Sequence, residues 1–272
     1  MGGHTDISGN TSTGAAGVSS GVVGIALGVE KQMGSSTVLG LSLGVDHQSL
    51  SAGSGGSAHS NNVTLGGYAR QNLSDNIYAA AALAYAWHDV QTRRVVTVSG
   101  TDTLVGEFSA NNLSGRIELG YRSDIGGGAT LAPYIAFAAD SFSTPAYRET
   151  AISGASTFAL AYSPTTTDNQ HFEAGLHFGQ DFALESGKLT LTADAAWAHE
   201  LTGLPSAQVS FQSLPGSSFV VPGLQLVKDS ALLGAGLYMH SSPNLTYGVG
   251  VQGQLGDDTS AIAGTLSLVY RL

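Results

Sequence analysis

The sequence has no cysteine and few charged residues. Zero cysteines among 272 residues exclude disulfides, thiolate chemistry and cysteine-ligated metal sites. The 10 basic and 20 acidic residues make up 11% of the chain, whereas a soluble domain carries about 25%. A surface so short of charge is expected to face something other than water, and lipid is the obvious candidate. The net charge of −10 argues against a nucleic-acid partner, because DNA and RNA reward basic patches.

The chain also lacks a hydrophobic run long enough for a transmembrane helix. Such a helix needs roughly 18 to 20 apolar residues, but the best runs are GVVGIALGV (21–29) and YAAAALAYAW (78–87). Those lengths match the roughly 9 to 11 residues of a tilted transmembrane β-strand. No Pro-rich or charged linker divides residues 1–272, so we expect a single domain. MGGHTDISGN does not look like a signal peptide, so an exported protein would here be a mature fragment or an engineered chain with an added Met1.

Alternation of apolar with small or polar residues predicts an all-β fold, a transmembrane up-and-down antiparallel β-barrel of 12 strands. The predicted strands are 3–9, 20–31, 36–49, 61–72, 76–90, 107–123, 129–142, 169–184, 187–201, 225–241, 244–256 and 260–272.

The predicted connections alternate in length. EKQMGSS, QNLSDN, SDIGGGA, LESGK and HSSPN are short and rich in turn residues. The predicted long polar connections are 48–61, 91–106, 143–168 and 202–224. Bacterial outer-membrane barrels have short periplasmic turns and longer extracellular loops. The pattern therefore predicts the outer membrane, and an even strand count would put both chain ends in the periplasm.

The two faces of the predicted strands differ in charge. One face is uncharged and includes Leu27, Leu41, Phe137 and Val249, as the cost of about 2 to 4 kcal/mol for Arg or Lys at the lipid midplane requires. The opposite face is predicted to line the lumen with Glu30, Asp46, Tyr68, Arg70, Arg116, Glu118, Glu173, Asp194, Gln252 and Gln254. The aromatic girdle is predicted at Trp87, Trp197 and Tyr121.

The Asn pairs and the histidines are candidates for enzymatic or metal-binding chemistry. Asn61-Asn62 and Asn111-Asn112 fall at predicted junctions between loop and strand, where Asn is common for turn reasons. His171 and His177 are roughly 20 Å apart along one strand, too far to share an ion. His199 has no serine two residues away, as an outer-membrane phospholipase would need. We therefore predict that the protein is not an enzyme and carries neither cofactor nor metal.

The last third of the chain resembles the C-terminal translocator domain of autotransporters, the type V secretion proteins. The segments that carry the resemblance are DAAWAHELTG (194–203), SFVVPGLQLVKDSALLGAGLYM (218–239), NLTYGVGVQGQLGDD (244–258) and TLSLVYRL (265–272). VVGIALGVEKQM and VLGLSLGVDHQSL are similar to the paired second and third strands of such domains.

The resemblance implies a barrel in the outer membrane of a Gram-negative bacterium that anchors and helps export a passenger fused to its N-terminus. The barrel-insertion machinery would read the final strand, here Leu266, Leu268, Tyr270 and Leu272. Outer-membrane lipids and lipopolysaccharide would be further partners, and the barrel would be a monomer. Neither passenger nor linker helix is recognisable, and Leu272 stands where Phe or Trp is usual.

Two questions stay open at this point. The inward charges could contact a linker helix in the pore, or they could form a lattice that stiffens the barrel. The function could instead be that of a general small-solute channel, or the chain could be a soluble β-sandwich binding protein, which the dearth of charge argues against.

Overall fold

The structure is a computed structural model that describes residues 1–9, 15–53, 55–185, 187–224, 227–242 and 244–271. The described residues contain no helix that is long and apolar enough to cross a membrane. Their strands, in chain order, are β1 (Gly2–Ile7), β2 (Val18–Met33), β3 (Thr37–Ala52), β4 (Gly56–Asn72), β5 (Ile77–Val96), β6 (Asp102–Tyr121), β7 (Ser123–Gly126), β8 (Ala129–Thr144), β9 (Tyr147–Arg148), β10 (Thr150–Ser153), β11 (Leu160–Tyr162), β12 (Thr165–Leu184), β13 (Gly187–Glu200), β14 (Ser206–Phe211), β15 (Ser218–Pro222), β16 (Asp229–Ser242), β17 (Leu245–Gly256) and β18 (Thr259–Arg271).

Twelve of these strands close into an antiparallel barrel, as the sequence predicted. Their order around the barrel is β1, β2, β3, β4, β5, β6, β8, β12, β13, β16, β17 and β18, and β1 pairs with both β2 and β18. Closure gives every strand a partner on each side, which removes the unpaired edges that lipid could not satisfy.

The seam of the barrel is built in two parts, because β1 is short. In the first part, β1 lies between β18 and β2, and Gly2 lies opposite both Gly264 of β18 and Val23 of β2. The amino group of Met1 donates to the Gly24 carbonyl (2.7 Å), and the Gly24 amide donates back to the Met1 carbonyl (3.0 Å). In the second part, beyond the start of β1, β18 pairs directly with β2 and in parallel, with Tyr270 opposite Val29.

The two ends of the barrel differ, and two of the predicted long loops are wrong. At one end, here the turn end, β2 meets β3, β4 meets β5 and β16 meets β17 through short connections. At the other, the arm end, most of the predicted loops 48–61 and 91–106 are strand, since β3 runs to Ala52 and β5 to Val96. Gly55 and Gly100 supply the positive φ for the tight turns at the arm tips. The loss of apolar alternation marks the end of the exposed apolar belt and not the end of the strands.

The predicted loops 143–168 and 202–224 contain strands of their own. β9, β11, β14 and β15 form a four-stranded sheet, here the cap sheet, while β10 extends the barrel sheet beside β6. The most buried large side chains of the described residues lie here: Leu104 is 0% and Val209 1% exposed. Among the described residues, the most buried large apolar side chains thus lie at the arm end, in or beside the cap sheet.

The outer wall of the barrel is apolar and exposed, and it carries the residues predicted for it. Leu27 is 76% and Leu266 82% exposed, which is the opposite of what a water-soluble protein shows for leucine. Cross-strand partners keep this face in register around the wall, as Ile25, Val45, Val63 and Trp87 illustrate.

Candidate functional site

The barrel encloses cavities lined by its charged and small residues. One cavity of about 590 Å³ is bounded by residues from strands all around the barrel, including Tyr68, Arg116, His171, Glu200 and Gln254. A second, of about 670 Å³ and nearer the turn end, is lined by residues that include Arg70, Tyr78, Glu118, His177 and Asp194.

Register places all ten residues that were predicted as lumen-lining on the face opposite the apolar wall. One row of cross-strand partners runs through Glu30, Tyr68 and Arg116 to His171 and on to Glu200. Other rows carry the rest: Asp46 lies opposite Asn62, Arg70 and Glu118 share the partner Ala80, Glu173 lies opposite Ala136, Asp194 and Gln252 share the partner Gly234, and Gln254 lies opposite Leu232.

Arg116 is the centre of an ion-pair network on one side of the interior. Its guanidinium donates to Glu118 Oε2 through Nη1 (2.7 Å) and holds Glu173 bidentately through Nη2 (2.7 Å) and Nε (3.2 Å). Glu173 lies on β12, so the contact reaches across β8, where Ala136 and Ala138 leave the space. Arg70 makes no such pair with any described residue and stacks on the Tyr78 ring, 4.1 Å from its centroid.

His177 extends this network to β13, a role that the sequence did not indicate. Its Nδ1 donates to Asp194 and its Nε2 to Glu118 (3.3 Å). Because both ring nitrogens face carboxylates, the geometry is that of a protonated imidazolium. The ring also stacks on Tyr134 at a centroid distance of 4.1 Å and an interplanar angle of 7°.

The interior has two unlike walls. The wall from β4 to β13, here the charged wall, carries the Arg116 network together with Arg70 and His171. The wall formed by β16, β17, β18, β1 and β2, here the small wall, carries mostly Gly, Ser, Thr and Ala on its inward positions. Its inward glycines include Gly24, Gly28, Gly234, Gly236, Gly248 and Gly250.

Interior tyrosines explain several glycines that composition alone left ambiguous. The Tyr78 ring lies over Gly120, and the Tyr68 ring lies over Gly40, so a Cβ on either glycine would overlap the ring. At Gly175, an added Cβ would meet Ala196 Cβ (2.6 Å) and the Ala195 carbonyl (2.7 Å) as well as Tyr134 Cε1 (2.8 Å), so both flanking strands require a glycine there. These glycines accommodate a tyrosine of the neighbouring strand, an arrangement known to protect strand glycines.

The two Asn pairs lie within strands, so their predicted placement at loop-to-strand junctions is wrong. Asn61 and Asn62 belong to the middle of β4, and Asn111 and Asn112 to β6. Asn62 is buried: its amide donates to Asp46 Oδ1 (2.6 Å) and its carbonyl oxygen accepts from His88 Nδ1 (2.7 Å).

The predicted girdle residues lie on the outer wall, and all three are about half exposed. The Trp197 indole donates to Asp229 Oδ1 (2.9 Å), which also accepts from His199 Nδ1 (2.8 Å). Trp87 lies well before the end of its strand, because β5 continues to Val96, and Tyr121 is the last residue of β6.

The predicted insertion stripe is exposed on the last strand. Leu266, Leu268 and Tyr270 share the outer face of β18, opposite Val249, Tyr247 and Leu245 of β17. Leu272, the fourth member of the stripe, lies outside the described residues.

The cap sheet is fastened by an ion pair whose carboxylate, that of Glu149, is buried. Arg94 holds Glu149 bidentately (3.0 and 2.6 Å) and donates to the Phe158 carbonyl (2.9 Å), while Glu149 also accepts from the Leu160 amide. Tyr147 stacks against Tyr162 at 4.3 Å, and burial raises the pKa of both phenols. The Arg94–Glu149 pair therefore joins the β5 arm to the connection between β8 and β12.

The comparisons with known proteins agree with this architecture. Residues 1–252 match the family model "Autotransporter beta-domain". The fold is similar to the translocator domain of autotransporter NalP from Neisseria meningitidis (14% identity, TM-score 0.71, 100% of this chain and 87% of that chain). It is also similar to the transport unit of the autotransporter AIDA-I from Escherichia coli (14%, 0.58, 100% and 88%) and to the β domain of the Bordetella autotransporter BrkA (16%, 0.57, 98% and 97%). No curated protein matches the chain in sequence.

Proposed function

The chain belongs to the autotransporter β-domain family, and we propose that its barrel holds an N-terminally fused passenger in the outer membrane and passes it outward through the lumen. Membership makes the barrel an outer-membrane translocator. The observation that carries the route is the interior itself, which combines a cavity of about 590 Å³ with a charged wall and a small wall.

The charged wall suits passage because the charges of its Arg116 network are already paired. Glu118 and Glu173 are almost fully buried, at 8% and 6% side-chain exposure, and both are held by Arg116. A passing polypeptide therefore meets few uncompensated charges, and the free energy of binding to the wall stays small. The same ion pairs also stiffen the wall across β6, β8 and β12. The inward charges therefore both line the lumen and brace the barrel.

The outer surface suits insertion in a bilayer with a defined orientation. The turn end would face the periplasm and the arm end, with the cap sheet, the outside, as in bacterial barrels with short periplasmic turns. Trp87, Trp197 and Tyr121 would lie at the interfaces with lipid and lipopolysaccharide. We further propose that the barrel is a monomer and that the insertion machinery reads Leu266, Leu268, Tyr270 and Leu272.

A bulky side chain on the small wall tests whether the passenger passes through the lumen. Gly250 faces the interior and Gly253 faces outward on the same strand, and an added Cβ would meet no atom closer than 3.7 Å and 3.4 Å, respectively. Gly250→Phe should therefore reduce surface display of a reporter fused before residue 1 by at least about tenfold, whereas Gly253→Phe should leave display unchanged.

Both variants must first show the gel mobility shift of a folded barrel, so that display is compared between inserted proteins. Equal display by the two folded variants would mean that the passenger does not pass through the lumen. Conductance of the purified protein in a planar bilayer then measures how far the pore is open, and Gly250→Phe should lower it.

A further inference from the structure

Two histidines meet on the outer face of the hairpin formed by the β3 and β4 arms. His47 lies opposite Asn61, and His59 lies opposite Ser49, so the two imidazoles occupy diagonal positions on one face. Both side chains are exposed, and their ring centroids are 6.3 Å apart with an interplanar angle of 31°. The close diagonal of an antiparallel pair is the arrangement that brings long side chains of neighbouring strands into reach.

Asn61 fixes the orientation and the tautomer of one ring. His47 Nδ1 donates a hydrogen bond to Asn61 Oδ1 (2.9 Å). The neutral ring then carries its proton on Nδ1, and Nε2 presents a lone pair on the exposed side. A ligating histidine usually has this kind of partner on its other nitrogen, and the partner raises the affinity for metal 10–100-fold.

We propose that His47 and His59 together bind a divalent transition-metal ion, Zn²⁺, Ni²⁺ or Cu²⁺, on the outer surface of the arm hairpin. Imidazole nitrogen is a preferred ligand of these ions, at about 2.0–2.1 Å for zinc. At that bond length two rings on a tetrahedral ion have centroids about 5 Å apart, so the exposed rings need to close by roughly an ångström.

Water completes the coordination, because two imidazoles are the protein's contribution. Within the described ranges no group of three or more His, Asp or Glu side chains is close enough to hold an ion together. Asp89 occupies the next position in register, opposite Asn61 on β5, and its carboxylate is on the same outward face. It adds negative charge beside the site and favours a cation there.

The site is tested by calorimetric titration of ZnCl₂ and NiCl₂ into the folded, untagged barrel in detergent. Saturable binding of one ion per barrel is expected for the unchanged protein. His59→Ala removes one ligand and should weaken the association constant at least about tenfold. Asn61→Ala leaves both ligands in place but frees the His47 ring, so it should also weaken binding, by about the 10–100-fold that such a partner supplies. CaCl₂ and MgCl₂ should produce no saturable heat, since those ions prefer oxygen ligands.

His4→Ala is the matched control, because His4 is also exposed on the outer wall but is paired with Asp6 (3.0 Å). This variant should bind zinc like the unchanged protein. The proposal is overturned if the unchanged protein gives no saturable zinc binding, or if His4→Ala weakens binding as much as His59→Ala. Binding that Asp89→Asn abolishes while His59→Ala leaves it intact would likewise show an oxygen site and refute the imidazole pair.

Discussion

Replacing Arg116 by methionine removes the cation that two inward carboxylates share. Met preserves much of the side-chain length, so the change leaves Glu118 and Glu173 facing each other without the guanidinium between them. Glu118 keeps hydrogen bonds from Tyr78 Oη (2.8 Å) and His177 Nε2 (3.3 Å), whereas Glu173 keeps His171 Nε2 (3.1 Å) and a long contact from Tyr134 (3.5 Å). Glu173 is therefore the carboxylate that loses most.

The size of the effect follows from the exposure of the three groups. Removing one partner of a buried ion pair costs about 3–5 kcal/mol, because the remaining charge is left uncompensated. The two carboxylates are 8% and 6% exposed but the Arg116 side chain is 35% exposed, so water can enter the space it leaves. With that screening we expect Arg116→Met to lower the free energy of unfolding by about 2–3 kcal/mol.

A double variant separates the charge effect from lost packing. In Arg116→Met with Glu173→Gln, the uncompensated charge is gone and Glu118 keeps its other two donors. The double variant should therefore be more stable than Arg116→Met alone, by about 1–2 kcal/mol. Urea unfolding in lipid vesicles measures this, with fluorescence of Trp87 and Trp197 as the signal, because both indoles lie on the lipid-facing wall. A double variant that loses the sum of the two single losses would refute the shared-cation account.

Three further changes test the tyrosine packing, the cap and the last strand. Gly120→Ala puts a methyl group into the Tyr78 ring and should lower the free energy of unfolding in urea by about 1–3 kcal/mol. In the control Gly115→Ala, on the same strand, the methyl group meets no atom nearer than 3.6 Å and the loss should be small. Equal losses of stability in the two variants would count against the tyrosine packing. Glu149→Gln removes the carboxylate partner of Arg94 and should make the connection between β8 and β12 cleavable by added trypsin at Arg148 while the barrel stays folded; unchanged resistance would mean that the pair does not fasten the cap. Leu272→Phe should speed assembly in vivo if the machinery reads the last strand, and a pulse-chase showing equal or slower assembly would argue against that reading.

The strands and the outer wall could be predicted because lipid imposes one rule on every strand. A residue such as Leu27 or Leu266 must be apolar wherever its neighbours lie, so period-two alternation is enough to place it. The interior follows no such rule. Arg116 reaches Glu173 across an intervening strand only because Ala136 and Ala138 are small. Sequence shows all four residues but not the register that aligns them.

The cap sheet could not be predicted because its strands are short and lie in polar sequence. β9 is two residues and β11 three, too short for alternation to appear. Its stability comes from contacts between distant segments, such as Arg94 with Glu149 and Gln212 with the Glu149 carbonyl (2.7 Å). Such contacts are non-local, so no local pattern could have revealed them.

The histidines show how one wrong strand end hides a site. His171 and His177 share a predicted strand, and the structure gives each its own carboxylate partner. The sequence pattern does not bring His47 and His59 together, because it predicts a loop over 48–61 that contains His59. Once β3 and β4 are known to continue as arms to Ala52 and from Gly56, the hairpin register alone puts the two rings on one face. In a barrel of this kind, polar alternation beyond the lipid belt should therefore be tested as strand before cross-strand ligand pairs are excluded.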